Sequence, residues 1–569
     1  MERVEEGEIQ WDCSVVLCFH NYSRQLVEVQ ADKNESKGET KMKPIAEMIF
    51  WIGCFVYIAT PIETARILAI ISIPSYSHQI PFRLLWTTLS QRGHEIVVLT
   101  TDPINDPNLT NLTEINFKSH YNLITKLNFI KNIGTYTWTN VLNKQLWPLC
   151  NEITENIYKH PKVRKMYELD SDTKFDVVIV ETIKSPGLYA LAYRFNAPLI
   201  GVTSTGLYNN NHYLFGAPVL PSHPSTWEMQ DTIIDFNLSL WQRIKNFIRL
   251  WYHIYCTLNH FYPEQQAIAE KYLGKNIPDI RDMERNISFV FQNQQEILSF
   301  VRPQTSNVLS FGNFHISKKT AALPENLKEF ITDAPNGFIY MSLGTNVQIS
   351  SLSKHVQSIF QDVFASLPYK ILLKYDSEFP NKPDNIYIAK WFPQQSILAH
   401  PNIKLFIYQG GLQSTEEAVY YAVPVLGLPI LADQYTQIKK MVSLGVAKCL
   451  NIMELSRENL NASIIDILYD EGYKKRMLKI KELTEDKPYD VLKHVIWWIE
   501  FVIRHKGASH LRTSIAHDPW YQKHEMDVIA ILSIIIFVTL ICTLIVIYKL
   551  LKIIFNLTKI TVTTKKKIN

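Results

Sequence analysis

A chain of 569 residues is too long to close around one hydrophobic core, given roughly 150 residues per domain, so two large domains with accessory segments are expected. Hydrophobic residues at 47% and aromatics at 12% exclude disorder, and 58 basic against 54 acidic residues leave a net charge of +4, too small for a nucleic-acid partner. Seven scattered cysteines without paired spacing exclude a disulfide scaffold and zinc-finger arithmetic, and Cys150, Cys256 and Cys449 in the globular body allow one bridge at most.

Residues 1–41 are polar and acidic. Met48 to Thr60 is then apolar, too short to span a bilayer comfortably and suited to a signal-peptide core, with Met42-Lys43 as its positive flank and Ala65 as a small residue for cleavage. A signal normally begins within a few residues of the N-terminus. Residues 42–65 are therefore expected to be the signal peptide, Met42 the working start, and 1–41 a leader that is no part of the working protein. Translation from Met1 would instead make the apolar stretch a signal anchor.

The body begins with an apolar run, Arg66 to Ile73, followed by a loop holding Pro74, Ser75, Ser77 and His78. A helical stretch from Pro81 to Arg92 and a second run, Glu95 to Thr100, come next. Continuous Val/Ile/Leu strands separated by helices predict a parallel sheet covered on both faces. Phe175–Val180 and Pro198–Val202 read as further strands. The pattern restarts at Gly337–Leu343 and continues through Tyr369–Tyr375, Asn385–Ala389, Ile403–Tyr408 and Pro424–Leu428. The fold class is α/β, with two doubly wound, Rossmann-like domains over 66–305 and 325–485 facing a cleft. The boundary falls where prolines and polar residues break the periodicity between Arg302-Pro303 and Pro324. Ligands of such folds sit at the carboxyl ends of the strands.

Residues 486–527 are expected to lead to the membrane as helices. Val528 to Tyr548 is uncharged throughout and long enough, at about 1.5 Å per residue, to form a transmembrane helix. Lys549, Lys552, Lys559 and Lys565 to Lys567 then make 549–569 a basic cytoplasmic tail and place the body in a lumen. Lys566-Lys567-Ile568-Asn569 resembles the dilysine tail that returns membrane proteins to the endoplasmic reticulum. Five sequons, at Asn108, Asn111, Asn237, Asn286 and Asn461, fall in the lumenal body.

From Trp391 to Gln434 the chain reads WFPQQSILAHPNIKLFIYQGGLQSTEEAVYYAVPVLGLPILADQ. The strand Ile403–Tyr408 ends in Gly410-Gly411 and opens a helix, so bare backbone amides and a helix N-terminus can meet a pyrophosphate. Trp391 offers a face for a nucleobase, and Gln394 can pair with a base edge because an amide both donates and accepts. Glu417 suits a ribose diol, and Asp433 with Gln434 would hold sugar hydroxyls. The spacing of Trp391, Pro393-Gln394, His400-Pro401, Gly410-Gly411, Ser414, Glu417, Val423-Pro424, Pro429 and Asp433-Gln434 resembles the signature of the UDP-glycosyltransferases, as do Ser342-Leu-Gly-Thr345 and Trp498–Gly507. The resemblance covers the chain from Arg66 to the tail, is similar in detail to the membrane-anchored animal branch, especially that of insects, and implies the GT-B arrangement. It adds Thr345, Gln413 and Ser414 to the expected UDP-sugar site. Within the signature two positions depart from the family's pattern: Gln409 stands where a phosphate-contacting His is usual and can donate a hydrogen bond but no charge, and Ala422 replaces a Gly at little expected cost.

Transfer to an alcohol or phenol needs a proton acceptor, and the histidine pKa of about 6.5 suits neutral pH. His78, just past the first strand, matches the family's catalytic His. A carboxylate should orient its ring; where the family has Asp this chain has Glu181. Asp176 lies at the other end of the same strand, roughly 16 Å away at about 3.3 Å per residue. The resemblance implies inverting transfer of a hexose from a UDP-sugar, glucose with glucuronate as its rival, to hydroxyls of small lipophilic acceptors. The UDP-sugar is a co-substrate, and no cofactor or metal is expected. Asp170-Ser-Asp172 matches a metal-binding Asp-x-Asp but precedes its strand in a polar turn. Aromatics in Tyr121–Trp147 and Tyr208–Tyr262, among them Tyr213, Phe215, Trp227, Trp241, Trp251, Tyr252 and Tyr255, are consistent with a greasy acceptor pocket. A catalytically weakened regulatory relative, a single-span adhesion glycoprotein, and a homo- or hetero-oligomer remain open.

Overall fold

The computed structural model describes residues 64–124, 145–228, 237–345, 347–379 and 381–568. The leader, and the signal peptide except Thr64 and Ala65, lie outside the described residues.

Two parallel sheets organise the chain. The first contains β1 (Arg66–Ile70), β2 (Glu95–Thr100), β3 (Leu112–Asn116), β4 (Val177–Glu181), β5 (Leu199–Thr203), β6 (Phe289–Asn293) and β7 (Val308–Phe311), in the order β3-β2-β1-β4-β5-β6-β7. The second contains β8 (Phe338–Ser342), β9 (Lys370–Lys374), β10 (Ile386–Ala389), β11 (Ile403–Tyr408), β12 (Val425–Gly427) and β13 (Ala447–Cys449), in the order β10-β9-β8-β11-β12-β13. Strand order reverses between β1 and β4 and again between β8 and β11, and at such reversals the loops diverge and leave a crevice at the carboxyl ends.

The helices that matter below are α1 (Tyr76–Gln91), α2 (Leu240–Cys256), α3 (Leu412–Tyr420), α4 (Gln434–Ser443), α5 (Val491–Arg504) and α6 (Met526–Ile568). Alternate residues of the buried strands feed two cores. Ile67, Ala69, Ile96 and Val98 face Phe82, Leu85, Trp86 and Leu89 of α1, while Leu68, Ile70, Val97 and Leu99 face the opposite layer. The C-terminal α5 returns to the first domain. Its Val495, Ile496, Ile499 and Val502 join the α1 side of that core, Trp498 stacks on Phe289 with centroids 4.6 Å apart, and Glu500 accepts from Arg92 Nε at 2.8 Å.

Several elements differ from the sequence expectation. α1 starts at Tyr76, ahead of Pro81, so that Pro81 lies inside the helix and its missing N–H removes the i→i−4 bond to the Ser77 carbonyl. β7 carries the first sheet past residue 305 into the stretch expected to be linker. β3, β6, β7 and β13 were not anticipated: β3 and β13 are short, partly polar edge strands, and β6 and β7 are short runs with only the 3-10 turn Glu296–Leu298 between them. α6 continues unbroken beyond Tyr548 through the basic tail, with Met526–Leu557 apolar enough to cross a bilayer and wholly unburied. Cys150, Cys256 and Cys449 are free thiols.

Ala422 overturns the expectation of little cost. It follows the last turn of α3 with φ of +55°, and Val423 N donates to the Ala418 carbonyl at 2.7 Å, the arrangement of a left-handed helix cap. A side chain in that conformation costs on the order of 1 kcal/mol, which glycine avoids. Ala422→Gly should raise the melting temperature by about 1–2 °C in a thermal denaturation scan.

Candidate active site

The first half of the site forms at the β1–β4 reversal. His78 stands in the first turn of α1, not in the loop before it, and its Nδ1 lies 3.3 Å from Glu181 Oε1 at the end of β4. Ser204, just past β5, brings its Oγ within 2.5 Å of the same nitrogen and donates to Glu181 Oε1 at 3.2 Å. Ile73 N–H donates to Glu181 Oε2 at 3.3 Å, so the carboxylate is held from three sides and its side chain is fully buried, whereas His78 is 23% exposed. Acceptor oxygens around Nδ1 keep the proton there and leave the Nε2 lone pair free to act as a base. Asp176 accepts from Arg66 N at 2.7 Å at the opposite end of the sheet. Ser204 escaped the sequence reading, although a small hydroxyl residue at the carboxyl end of a buried strand is a usable signal.

The second half forms at the β8–β11 reversal. Gly410 has φ of +90°, and a Cβ there would meet the Ile438 side chain at 2.5 Å and the Gln434 carbonyl at 2.9 Å, so only glycine lets α4 approach. Gly411 caps α3, and its added Cβ would meet nothing nearer than Gln409 Nε2 at 3.7 Å, which leaves the backbone open to a ligand. Gln409 lies against Gly344 after β8, and its buried Oε1 has no hydrogen-bond partner among the described residues. Thr345 is exposed beside this turn.

Several expected donor-site residues hold one another. Gln394 Nε2 donates to Ser414 Oγ at 3.0 Å and to Glu417 Oε2 at 2.6 Å, its Oε1 accepts from Tyr340 at 3.2 Å, and Gln395 donates to Glu417 Oε1 at 3.1 Å. Trp391 is 60% exposed, with Lys374 Nζ 4.5 Å from its ring centroid and Tyr76 of α1 edge-on at 6.0 Å. Gln413 points across the gap and donates to the Ser204 carbonyl at 3.1 Å. Gln434 corrects its expected role: Oε1 accepts from Ile430 N and Leu431 N at 2.9 Å each, so that oxygen braces its own loop and only the amino end is left for a sugar. Asp433 has a buried Oδ2 without a partner among the described residues. Burial pushes its carboxyl up to about 6, opposed by the charge of His78.

Two buried groups in this layer were invisible in the sequence. Glu416, beside Glu417, accepts from Gln295 at 2.9 Å and from Asn313 N at 3.3 Å, tying α3 to the first domain and the interdomain segment. His315 of that segment lies 3.6 Å from both Glu416 and Glu417 and donates to the Gln413 carbonyl at 3.1 Å. Of the aromatics expected around an acceptor, Tyr208 and Trp227 pack with Ile73 and Ile183 near His78. Trp241, Tyr252 and Tyr255 are exposed on α2. Of the stretch Tyr121–Trp147, residues 125–144 lie outside the described residues. Asp170 and Asp172 are exposed ahead of β4, and no third metal-type ligand joins them among the described residues.

The family model described as "UDP-glucoronosyl and UDP-glucosyl transferase" matches residues 67–567. The chain belongs to the UDP-glycosyltransferase family. UDP-glucosyltransferase 2 of Dactylopius coccus is 30% identical over 488 residues, covering 85% of this chain and 92% of the relative. Human UDP-glucuronosyltransferase 2B17 is 29% identical over 478 residues, covering 80% and 88%. The solved structure of CalG4, the calicheamicin glycosyltransferase, covers 78% of this chain and 100% of its own at 16% identity, with a TM-score of 0.51. The two parallel sheets are those of a GT-B glycosyltransferase.

In this UDP-glycosyltransferase, burial pushes Glu417 up to about 7, opposed by hydrogen bonds from Gln394 and Gln395. The facing groups are Glu416, also raised to about 7 by burial, His315, lowered to about 4 by burial, and the phenols of Tyr340 and Tyr421. Ribose hydroxyls donating to Glu417 would favour its ionised form, so UDP binding should release a proton near neutrality. Affinity should therefore rise several-fold from pH 6 to pH 8 and level off above the free-state pKa. Calorimetric titration with UDP across this range checks it, and Glu417→Gln should flatten the profile.

Proposed function

We propose that the chain transfers a hexose, with glucose as the donor sugar, from a UDP-sugar to a hydroxyl of small lipophilic compounds, inverting the anomeric carbon, with His78 as general base. The observation that carries this reading is the His78–Glu181–Ser204 cluster of the first half, whose Ser204 carbonyl accepts from Gln413 of α3 in the second half at 3.1 Å. A sugar held at Asp433 by the second half then meets a base supplied by the first.

The steps follow from the geometry. His78 Nε2 takes the proton of the acceptor hydroxyl, and Glu181 stabilises the imidazolium. The acceptor oxygen forms a bond to the anomeric carbon from the face opposite the diphosphate as the bond to the leaving oxygen breaks. The open amides at Gly411 and the first turn of α3 stabilise the charge growing on UDP. Tyr208, Ile73 and Ile183 supply apolar surface for the acceptor.

Membrane anchoring through α6, with the body in the lumen of the endoplasmic reticulum and the basic tail in the cytoplasm, belongs to the same proposal. It is supported by the wholly exposed apolar stretch Met526–Leu557 and by α2, whose Leu240, Trp241, Phe247, Ile248, Tyr252 and Tyr255 are exposed. Trp251 of α2 meets His524 at the root of α6, ring centroids 5.7 Å apart.

Microsomes expressing the protein, incubated with a phenol panel and either UDP-glucose or UDP-glucuronate, should yield glucosides by mass. Glucuronides would overturn the donor, and absence of any conjugate would favour the weakened-relative reading. His78→Ala should lower transfer by about 10²–10⁴-fold while leaving UDP affinity within about twofold of wild type; unchanged turnover would remove His78 as the base.

A further inference from the structure

Three buried polar atoms converge on the seam between the two halves, and none has a hydrogen-bond partner among the described residues: Trp227 Nε1, Asp433 Oδ2 and Gln437 Oε1. The three residues line one narrow slot together with Gly206, Phe300 and Lys440. Trp227 and Gln437 are each only 8% exposed. The first half thus contributes an unpartnered indole donor, and the second contributes two unpartnered acceptors beside the ammonium of Lys440. Buried polar groups are rarely left in that state, and a small group that both accepts and donates would complete the set.

Size and chemistry narrow what that is. The free space in the slot is about 10 Å³, room for one water or one hydroxyl and far too little for a sugar ring. A hydroxyl can accept from the indole N–H and donate to one of the two oxygens at once. A carboxylate is larger, brings no proton, and would place its charge against Asp433 Oδ2 and the Gln437 carbonyl.

We propose that the slot is a hydroxyl-sized notch of the donor-sugar site: the C6 hydroxymethyl of the hexose enters it, accepts from Trp227 Nε1–H and donates to Asp433 Oδ2 or Gln437 Oε1. The C6 hydroxyl is the one ring substituent carried an extra bond away from the ring, so it alone reaches a space that the ring cannot enter. The inference rests on the hexose-transfer reading and extends it, because a residue of the first half takes part in choosing the sugar and selects glucose over glucuronate. Lys440, with its Nζ 5.3 Å from the Phe300 ring centroid, is the slot's cation and would act in the opposite sense if a carboxylate entered.

The test is calorimetric titration of the full-length wild type and Trp227→Phe with UDP, UDP-xylose, which lacks C6, UDP-glucose and UDP-glucuronate. Phe keeps a ring against Tyr208, whose centroid lies 4.5 Å from that of Trp227, and removes the N–H along with part of the indole, so the UDP and UDP-xylose affinities serve as the control for packing. Wild type should bind UDP-glucose about tenfold more tightly than UDP-xylose or UDP-glucuronate. Trp227→Phe should lose most of that advantage, while its affinities for UDP and UDP-xylose stay unchanged and show that the variant is folded. An equal loss for all four ligands, no loss at all, or a wild type that binds UDP-glucuronate as tightly as UDP-glucose would overturn the notch and leave the slot to a structural water. A wild type that transfers no hexose contradicts the function proposed above, whereas intact transfer with an unaltered sugar preference in Trp227→Phe contradicts the notch alone.

Discussion

Ser204 joins the two halves of the site. Its hydroxyl touches His78 and Glu181, and its backbone carbonyl accepts from Gln413 of the second domain and from Asn293 of β6 at 3.4 Å. One residue at the carboxyl end of β5 therefore fixes both the orientation of an imidazole and its register against α3, the helix whose N-terminus the paired glycines leave open. A base and a bound sugar must meet within a few tenths of an ångström to react, and a contact shared between base and donor helix is an economical way to hold that distance.

The topology explains why these residues can meet. Each sheet reverses its strand order once, and the side chains of interest follow the strands on either side of a reversal: His78 and Glu181 at β1 and β4, Gly344 and Gly410-Gly411 at β8 and β11. The return of α5 to the first core, with Trp498 on Phe289 and Glu500 on Arg92, ties the C-terminal end of the chain to the first domain. Glu416 and His315 add a buried link through the interdomain segment. Burial raises Glu416, Glu417 and Asp433 together. Burial thus works against the ionised forms at this seam, and it is ionised carboxylates that make the stronger acceptors for ribose and sugar hydroxyls.

Much of this could be read from the sequence because it is local. The alternation of apolar runs and helices predicts two parallel sheets, and Gly410-Gly411 between a strand and a helix predicts an open helix N-terminus; the pairing of Glu181 with His78, 103 residues apart, comes instead from the family resemblance. What could not be read is contributed from a distance. Ser204, His315, Glu416 and Trp227 acquire their roles only when segments on average more than a hundred residues from their partners are brought together, and no periodicity encodes that. That Gln434 spends its Oε1 on Ile430 N and Leu431 N, keeping its amino end for a ligand, was likewise not legible in the sequence. Ala422 reads as neutral until its positive φ is known. The short strands β6 and β7 have only the 3-10 turn Glu296–Leu298 between them and so look like linker.

The central claim is that an imidazole from the first half works on a sugar presented by the second. A crystal structure of the protein with UDP-2-deoxy-2-fluoroglucose tests this most directly. The account predicts the diphosphate against Gly410-Gly411 and the anomeric carbon within about 5 Å of His78 Nε2, on the face away from the leaving oxygen, leaving room for one attacking hydroxyl between them. An anomeric carbon more than about 10 Å from His78, or a diphosphate seated away from the paired glycines, would contradict it.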